Sequence, residues 1–364
     1  MEDIQNHLAL CMVPGIGSVQ NRLLLQHFTT AANVFKAKRK EISAVEGIGD
    51  VRAKAIKAFT DYKIVEDEIK FCAKHHIQIL IPSSTIYPQR LLNCYDPPPV
   101  LFYRGTADLN QQKTVSIIGT RNNTAYGKTV TEELIASLQE QNVLVLSGLA
   151  YGIDAIAHKA ALKNNIPTVG VLAHGLDTIY PASHTSLAKE MLANGGLLTE
   201  FWKGNLPAKH NFPKRNRIVA GMSDAIIVIE TAAKGGSMIT AEIAYGYNRD
   251  IFALPGRIND AKSAGCLKLI EQNKAILYTS ATQFIEAMGW KPKAANTVKQ
   301  RSLFIELSNE ENIIISLLEK QASMGIDEIY IKSGLSSSRT AAAILNLELQ
   351  GLLHVLPGKL YSLT

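Results

Sequence analysis

From Thr114 onward, short apolar runs alternate with longer segments in which apolar residues recur every three or four positions. The short runs, such as VSIIG and VLVLSG, have the length and the β-branched composition of buried strands. The longer segments, such as DAIAHKAALKNN, have the spacing of amphipathic helices. Strands that alternate with helices in this way predict a doubly wound parallel sheet, which is a Rossmann-like α/β fold.

The alternation continues to Tyr278 through the predicted strands PTVGVL, LLTE, AIIVIE, IFALPG and AILY. Ligands of doubly wound sheets gather at the carboxyl ends of the strands. The turns that follow the strands are therefore the first places to search for a site. They are Gly119-Thr120-Arg121, Ser147-Gly148-Leu149, His174-Gly175, Lys209 to Arg217, and Lys234-Gly235-Gly236-Ser237.

Two glycine turns near the N-terminus repeat one pattern. Gly15-Ile16-Gly17 and Gly47-Ile48-Gly49 each precede a segment with helical spacing, and each predicts a helix-hairpin-helix unit. The glycines allow a tight turn, and the N–H groups at the next helix start can face a phosphate. Residues 1–60 carry eight Lys or Arg against five Asp or Glu, a net charge of +3. Such a pair of units can contact DNA or dock a protein, and the sequence leaves both open.

The last part of the chain has three short helical segments followed by a strand-turn-strand, LLHVLPGKLYSL, and this order predicts a winged helix. From Ser308 onward there are four Lys or Arg and six Asp or Glu, a net charge of −2. That balance favours a protein-interaction role or weak DNA binding. The predicted domains are 1–64 (helix-hairpin-helix), 65–290 (Rossmann-like), 291–305 (linker) and 306–364 (winged helix).

Composition narrows the function classes. The chain has 364 residues, a formal net charge of +6 and a pI near 9.0, a modest excess that is compatible with a polyanionic partner. Its four cysteines lie far apart without a CxxC pair, so the sequence predicts neither a zinc site nor a disulfide framework. There is no signal-peptide pattern and no apolar run near the ~20 residues that span a bilayer. We therefore expect a cytoplasmic protein without a metal or a cofactor.

The segment KHNFPKRNR, from Lys209 to Arg217, interleaves cations with one aromatic residue, Phe212. Cations bind phosphates and a ring face stacks a base of any kind, so this mixture is typical of proteins that bind single-stranded nucleic acid. Taken alone, the segment is also compatible with a solvated basic loop around one buried Phe.

The first turn of the predicted sheet, GTRNNTAYG, departs from the GxGxxG pattern of dinucleotide-binding proteins. Arg121 stands where close approach of a pyrophosphate requires glycine. A nicotinamide enzyme is thereby disfavoured, and a polymer phosphate suits the cation better. The Lys234-Gly235-Gly236-Ser237 turn opens a helix, where N–H groups and a hydroxyl can bind an anion. A simple tight turn between strand and helix is the alternative.

No catalytic constellation stands out. His158 lies one helical turn after Asp154, but a single His on a half-apolar helix is usually a packed residue. Glu242 is the one carboxylate close to the Lys234-Gly235-Gly236-Ser237 turn, and it could act as an acid or a base. The sequence therefore predicts a protein without catalytic residues.

With these residues in view, the chain resembles the DNA-processing protein A family, DprA, also called Smf. The resemblance covers essentially the whole length. It rests, in order, on YPQRLLNCYDPPPVLFYRG, SIIGTRNNTAYG, VLSGLAYGIDAIAHKAAL, LDTIYPASH, KHNFPKRNRIVAGMSDAIIVIE, KGGSMITAEIA and FALPG. It implies a cytoplasmic non-enzyme that binds and protects single-stranded DNA, loads the RecA recombinase during natural transformation, and dimerises through its Rossmann-like domain.

The resemblance also implies roles for single residues. Arg121 and Lys209 match phosphate-contacting residues of the family, and Phe212 matches an aromatic that lies against a base. The other expected DNA contacts lie in the turn after the second sheet strand, in the family's RNR motif and in its glycine turn: Ser147, Gly148, Arg215, Asn216, Arg217, Gly235, Gly236 and Ser237.

Two further interpretations come from other classes. GGSMITAE is similar to the GGxGTxxE turn of the cytokinin-activating nucleoside-monophosphate phosphoribohydrolases and keeps Glu242, but it has Met238 and Ile239 in place of Gly-Thr. A duplex-specific regulator acting through the winged helix would need a basic recognition helix, and SSSRTAAAILNLELQ offers only Arg339.

Overall fold

A computed structural model describes residues 2–290, 307–321, 323–356 and 360–363. The chain divides into two compact units, Met1–Ala281 and Thr282–Thr364, and each is described by itself. The predicted linker, residues 291–305, lies outside the described residues.

The first unit begins with helices. They are α1 (Glu2–Met12), α2 (Ser18–Phe28), α3 (Ala31–Lys36), α4 (Arg39–Ser43), α5 (Gly49–Lys57) and α6 (Tyr62–Lys74).

Both predicted hairpins are present, the first between α1 and α2 and the second between α4 and α5. Gly15 and Gly47 have φ values of 80° and 78°, the left-handed region that glycine adopts without a steric penalty. Arg52 joins the two turns, because its guanidinium donates to Gly15 O at 2.9 Å and to Gly47 O at 3.2 Å. The repeat in the sequence is therefore a pair of turns that one side chain holds together.

The sheet region follows. Its elements are β1 (Gln78–Leu80), α7 (Gln89–Leu92), β2 (Leu101–Gly105), β3 (Lys113–Ile118), α8 (Ala125–Ser137), β4 (Val143–Ser147), α9 (Ile153–Lys163), β5 (Thr168–Val171), α10 (Thr185–Met191), β6 (Gly195–Thr199), α11 (Asn211–Gly221), β7 (Ala225–Val228), α12 (Gly236–Gly246), β8 (Asp250–Ala253), α13 (Ala264–Glu271) and β9 (Ile276–Leu277).

In the described part of the chain these strands form one nine-stranded sheet in the order β1-β2-β6-β5-β4-β3-β7-β8-β9. From β6 to β9 every neighbouring pair is parallel, as predicted. The edge differs from the prediction, since β1 and β2 join it antiparallel. The three-residue β1 is too short to show a hydrophobic pattern. The prolines before β2 predicted only an extended entry, so the strand that follows them was not identified.

The core of this unit lies between the sheet and its helices. Strand residues such as Leu146, Val171 and Val228 belong to one apolar cluster with Val219 of α11 and Ala241 of α12. Parallel strands that are covered on both faces read as continuous apolar runs, which is why the sequence pattern identified them.

The chain winds in two directions from β3. The strands β4, β5 and β6 follow on one side, whereas β7, β8 and β9 follow on the other. The carboxyl ends of β3 and β7 therefore flank a topological switch point, where the connections diverge and leave a crevice open above the sheet.

The second unit has the outline of a winged helix. Its elements, with α14 at the division between the units, are α14 (Ala281–Ala287), α15 (Asn309–Lys320), β10 (Met324–Gly325), α16 (Ile326–Ser333), α17 (Ser337–Leu349), β11 (Leu353–Leu356) and β12 (Leu360–Leu363). The sheet order is β10-β12-β11 in the described residues, with β11 and β12 antiparallel as predicted. A capping box between Ser308 and Glu311 starts α15.

Among the described residues, no helix combines the length and the apolar character that a membrane crossing requires. In the same part of the chain, no cluster of His, Cys, Asp and Glu has the arrangement of a metal site.

Candidate nucleic-acid interface

The crevice at the switch point has a volume of about 360 Å³. Four of the turns that the sequence singled out contribute to its lining, those after β3, β4, β6 and β7. The predicted site residues on its wall are Arg121, Gly148, Phe212, Arg215, Asn216, Gly235, Gly236 and Ser237. The fold thus brings together residues that lie more than a hundred positions apart along the chain.

The start of α8 is already occupied by a carboxylate of the protein. Glu230, which is buried just after β7, accepts a hydrogen bond from the Thr124 N–H at 2.9 Å and another from the Thr124 hydroxyl. Gly127 leaves room for this carboxylate, since a Cβ there would lie 2.6 Å from the Glu230 Cδ. In dinucleotide-binding sheets the pyrophosphate takes this position, so the geometry agrees with the absence of a GxGxxG pattern.

The turn after β4 is shaped by a second buried carboxylate. Asp154 accepts from the N–H groups of Gly148 at 3.1 Å and Ala150 at 3.3 Å. Burial raises the pKa of Asp154, and the nearby charge of Arg215 opposes that rise. Ser147 differs from the prediction, because its side chain is fully buried and its hydroxyl donates to Ile117 O at 2.6 Å. Ser147 therefore supports the strand and offers no side-chain contact to a ligand.

The start of α12 has no side-chain cap. Gly235 is its first flanking residue, and a Cβ there would collide with the Thr231 hydroxyl. Gly236 faces open space, because nothing lies within 4 Å of the position that its Cβ would take. The first N–H groups of a helix have no partner within the helix, and here they border the crevice. This end of α12 is consequently suited to an anion.

The alternative interpretation of Lys209 to Arg217 as a solvated loop is wrong for most of the segment, because α11 begins at Asn211 and includes everything from there to Arg217. The helix places Phe212 in its first turn, half-buried, with Pro213 behind it where a missing N–H costs nothing. The Arg121 guanidinium lies 5.3 Å from the centroid of the Phe212 ring. The Tyr180 ring also contacts Phe212, with the ring centroids 6.3 Å apart.

Arg215 is buried, and it lines a small cavity together with Phe212 and Tyr180. Its Nη1 donates to Val171 O at 3.0 Å, while its Nε is buried without a hydrogen-bond partner. Burial lowers its pKa and Asp154 opposes that change. Gly148 makes the room, since a Cβ there would lie 2.6 Å from Arg215 Nη2 and closer still to Nη1 and Cζ. Arg215 thus lines the crevice as a cation in its wall.

Arg217 turns away from the crevice, which differs from the prediction of a DNA contact. Its guanidinium binds the carboxylate of Glu200 and the carboxylate of Asp96, the latter at 3.1 Å. It also donates to the hydroxyl of Ser18 at 3.2 Å, at the start of α2. Because its charge is already paired, Arg217 fastens the helical part of the unit to the sheet region.

Exposed cations on the segments that line the crevice include Lys209, Lys214 and Arg121. Lys209 precedes α11, Lys214 lies near the start of that helix, and Arg121 lies after β3. A polymer phosphate can approach all three from solvent without breaking an ion pair, although Arg121 also lies over the Phe212 ring.

The candidate acid-base residues do not converge. His158 is fully buried, its Nδ1 lies 2.7 Å from the Thr168 hydroxyl, and burial lowers its pKa to about 3. It forms no hydrogen bond with Asp154, which faces the turn instead. Glu242 binds Lys274 at 2.7 Å and lines a neighbouring groove rather than the crevice. This arrangement lacks the hydrogen-bonded pair that general acid-base chemistry requires.

Reasoning from the sequence did not assign Glu230 or Asp154 to the site, although both shape it. Their signal was present, since Glu230 follows the end of β7 by two positions and Asp154 follows the end of β4 by seven, at the start of α9. The exposed rings of Tyr151 and Tyr180 were also missed. Tyr180 lies five positions after the His174-Gly175 turn, and only the fold brings it beside Phe212.

Comparison with known proteins gives the same architecture. The sequence profile of the family described as DNA recombination-mediator protein A matches residues 78–289. The DprA winged helix domain matches residues 300–359, and a SAM-like helix-hairpin-helix tandem matches residues 8–59.

Individual proteins extend the comparison. The chain is 32% identical to the protein Smf of Synechocystis sp., over 97% of each chain. The X-ray structure of DNA processing protein A from Streptococcus pneumoniae is 31% identical and superposes with a TM-score of 0.68, over 78% of this chain and 97% of that one. A DNA processing protein A from Helicobacter pylori, solved for its unique single-stranded DNA binding mode, is 33% identical with a TM-score of 0.53, over 58% of this chain and 96% of that one.

The order of the domains, the sheet with its switch-point crevice and these matches agree with one another. The chain belongs to the DNA recombination-mediator protein A family, whose members are named DprA or Smf.

Proposed function

We propose that this protein binds single-stranded DNA at the switch-point crevice. The observation that carries the proposal is the pairing of Arg121 with Phe212 at its edge, where the guanidinium lies 5.3 Å from the ring centroid. A half-buried ring with an exposed cation over one side of it offers a stacking surface and a phosphate contact in one place.

The proposed path of the strand follows the exposed cations. Phosphates approach Lys209, Lys214 and Arg121 from solvent, and one phosphate lies at the uncapped start of α12, against Gly236 and Ser237. Arg215 is buried in the crevice wall, and its positive charge adds electrostatic attraction for the phosphates. Most of these groups are backbone N–H groups and cations, which contact phosphates and do not distinguish one base from another. We therefore expect little base preference.

The H. pylori relative, whose structure concerns a single-stranded DNA binding mode, supports this assignment. By resemblance to the family, we further propose that the protein acts in the cytoplasm during natural transformation, where it protects incoming single strands and loads the RecA recombinase. The acidic winged helix supports a protein-facing role, since α17 exposes Leu345 and Leu349, by 54% and 77%, where a DNA reader would carry cations.

We also propose that the protein forms a homodimer through its Rossmann-like domain. The strand β9 lies at the edge of the sheet, and Ile276 and Leu277 are 45% and 42% exposed. An unpaired edge with exposed apolar side chains favours association with a second copy. Replacing Ile276 with Arg should halve the mass measured by light scattering, and an unchanged mass would exclude this edge as the interface.

Binding to the crevice is tested by fluorescence anisotropy with single-stranded and duplex oligonucleotides over a series of salt concentrations. Arg121→Ala and Lys209→Ala should each weaken single-strand binding and lower the salt slope by roughly 0.7 for every phosphate that the variant no longer neutralises. Phe212→Ala should cost about 1–3 kcal/mol with an almost unchanged slope, because stacking releases no counterions.

The matched control is Lys163→Ala. Lys163 is an exposed lysine at the end of α9, near the amino ends of the strands, whereas the crevice lies at their carboxyl ends. It should bind as the parent does. Equal affinities and slopes for the parent and all four variants would exclude the crevice as the binding site.

We propose, finally, that the activity is binding without catalysis. Glu242 forms an ion pair with Lys274 outside the crevice. Among the described residues, no hydrogen-bonded acid-base pair faces the crevice. Purified protein should release no free base from nucleoside monophosphates. Base release that disappears in Glu242→Gln would instead favour a phosphoribohydrolase.

A further inference from the structure

A second groove runs from the crevice along the outer side of α12. It is open and has a volume of about 630 Å³. Gly235, at the start of the helix, lines both the crevice and the groove. A polymer that is held in the crevice therefore has a continuous path into the groove.

Tyr95 gives the groove an exposed aromatic face. Its side chain is 69% exposed, more than any other tyrosine in the described part of the chain. The ring is held in place by Tyr247, with the centroids 5.4 Å apart, and the Tyr247 hydroxyl in turn donates to Asp96. An exposed ring that is already oriented loses little conformational entropy when a base stacks on it.

The charges of the groove suit a polyanion. Lys234 and Lys268 are exposed on its wall. Glu242 is the acidic residue on that wall, but both of its oxygens accept from Lys274 Nζ, at 2.7 and 2.9 Å. The carboxylate is therefore neutralised locally, whereas the two lysines remain available to phosphates.

We propose that the bound strand leaves the crevice past Lys234 and stacks a further base on Tyr95, with a phosphate beside Lys268. This extends the interface beyond the residues that the family resemblance implies, and it rests on the proposed function because the strand is assumed to occupy the crevice. Continuity through Gly235 and the interleaving of a ring with cations favour a single strand over an apolar peptide, which would instead lie on Met238 and Ile239.

The test uses the full-length protein and thymidine oligonucleotides of about 4 to about 16 nucleotides, the range of single-strand site sizes. Tyr95→Ala should weaken binding of the long oligonucleotides at least about 5-fold and leave the shortest unchanged. Tyr95→Phe should restore the affinity, because stacking needs the ring and not the hydroxyl. Lys268→Ala should lower the salt slope for long oligonucleotides only.

The matched control is Tyr126→Ala, since Tyr126 is 55% exposed on α8 and lines neither the crevice nor the groove. Three results for Tyr95→Ala would overturn the inference: unchanged binding at every oligonucleotide length, an equal loss of affinity at every length, or a changed molecular mass of the variant in light scattering. The last result would make Tyr95 a residue of a protein-protein interface. If the parent binds no single-stranded oligonucleotide of any length, the proposed function fails as well. Failure of the groove proposal alone would leave binding by the parent intact, so the two failures are distinguishable.

Discussion

Replacing Gly148 with alanine tests how the wall of the crevice is built. Gly148 has no backbone strain that requires glycine, since its φ is not in the left-handed region. The effect of an added methyl group must therefore come from what it meets. A Cβ at this position would lie 2.6 Å from Arg215 Nη2 and would overlap Nη1 and Cζ, so the guanidinium must move.

The cost follows from what Arg215 loses when it moves. Its Nη1 donates to Val171 O at 3.0 Å, a buried hydrogen bond from a charged group that is worth about 1.5–3 kcal/mol. The displaced side chain can enter the crevice, so we expect little further cost from overpacking. Gly148→Ala should therefore lower the free energy of unfolding by about 1.5–3 kcal/mol, measured by urea denaturation with an unchanged m-value.

Two controls isolate the collision. Gly236→Ala places the same methyl group where nothing lies within 4 Å, and it should change the free energy of unfolding by less than about 0.5 kcal/mol. In an Arg215→Ala background, Gly148→Ala should be nearly neutral, because the colliding group is gone. If Gly148→Ala costs as much in that background as in the parent, the collision with Arg215 is refuted as the cause of the destabilisation.

Three further expectations concern other parts of the molecule. Arg217→Ala should destabilise the protein by about 3–5 kcal/mol in urea denaturation, since it leaves the largely buried carboxylate of Glu200 without its cation; a loss below about 1 kcal/mol would contradict this. Because the pKa of His158 is lowered to about 3, the unfolded chain binds a proton that the folded chain excludes. The contribution of His158 to the free energy of unfolding should be fully present above pH ~6.5 and fall below that pH by about 1.4 kcal/mol per pH unit. The free energy of unfolding should therefore fall more steeply in the parent than in His158→Gln, and parallel pH curves would contradict this expectation. A chain ending near Lys293 should keep most of the single-strand affinity, measured by anisotropy, while the segment from Glu306 should bind little at physiological salt; the reverse would assign DNA binding to the winged helix.

Much of the fold could be predicted from local patterns. The central strands are buried on both faces, and their apolar runs are therefore visible without any tertiary information. The two glycine turns and the three helices of the winged helix carry signals of their own, in glycine spacing and in helix caps such as Ser308. The edge strand β1 was missed because three residues are too few for a period to show.

The candidate site could be predicted only as a set of residues. Composition identified Lys209 to Arg217, and the turns after strands were expected to converge because strand ends meet at one edge of a sheet. Composition could not distinguish Arg215 in the wall from Arg217 in an internal ion pair, since both occur in the same short motif and differ by only two positions on α11.

The sequence by itself determined which segments become strands, which turns follow them and which residue types stand there, because these depend on local periodicity and turn chemistry. Only the tertiary structure decided what each side chain does. Positions two apart on a helix face different directions, so Arg215 points to the crevice while Arg217 points to Asp96 and Glu200. Likewise, Glu230 occupies the start of α8 because two strands distant in sequence are neighbours in the sheet, a long-range pairing that no local pattern contains.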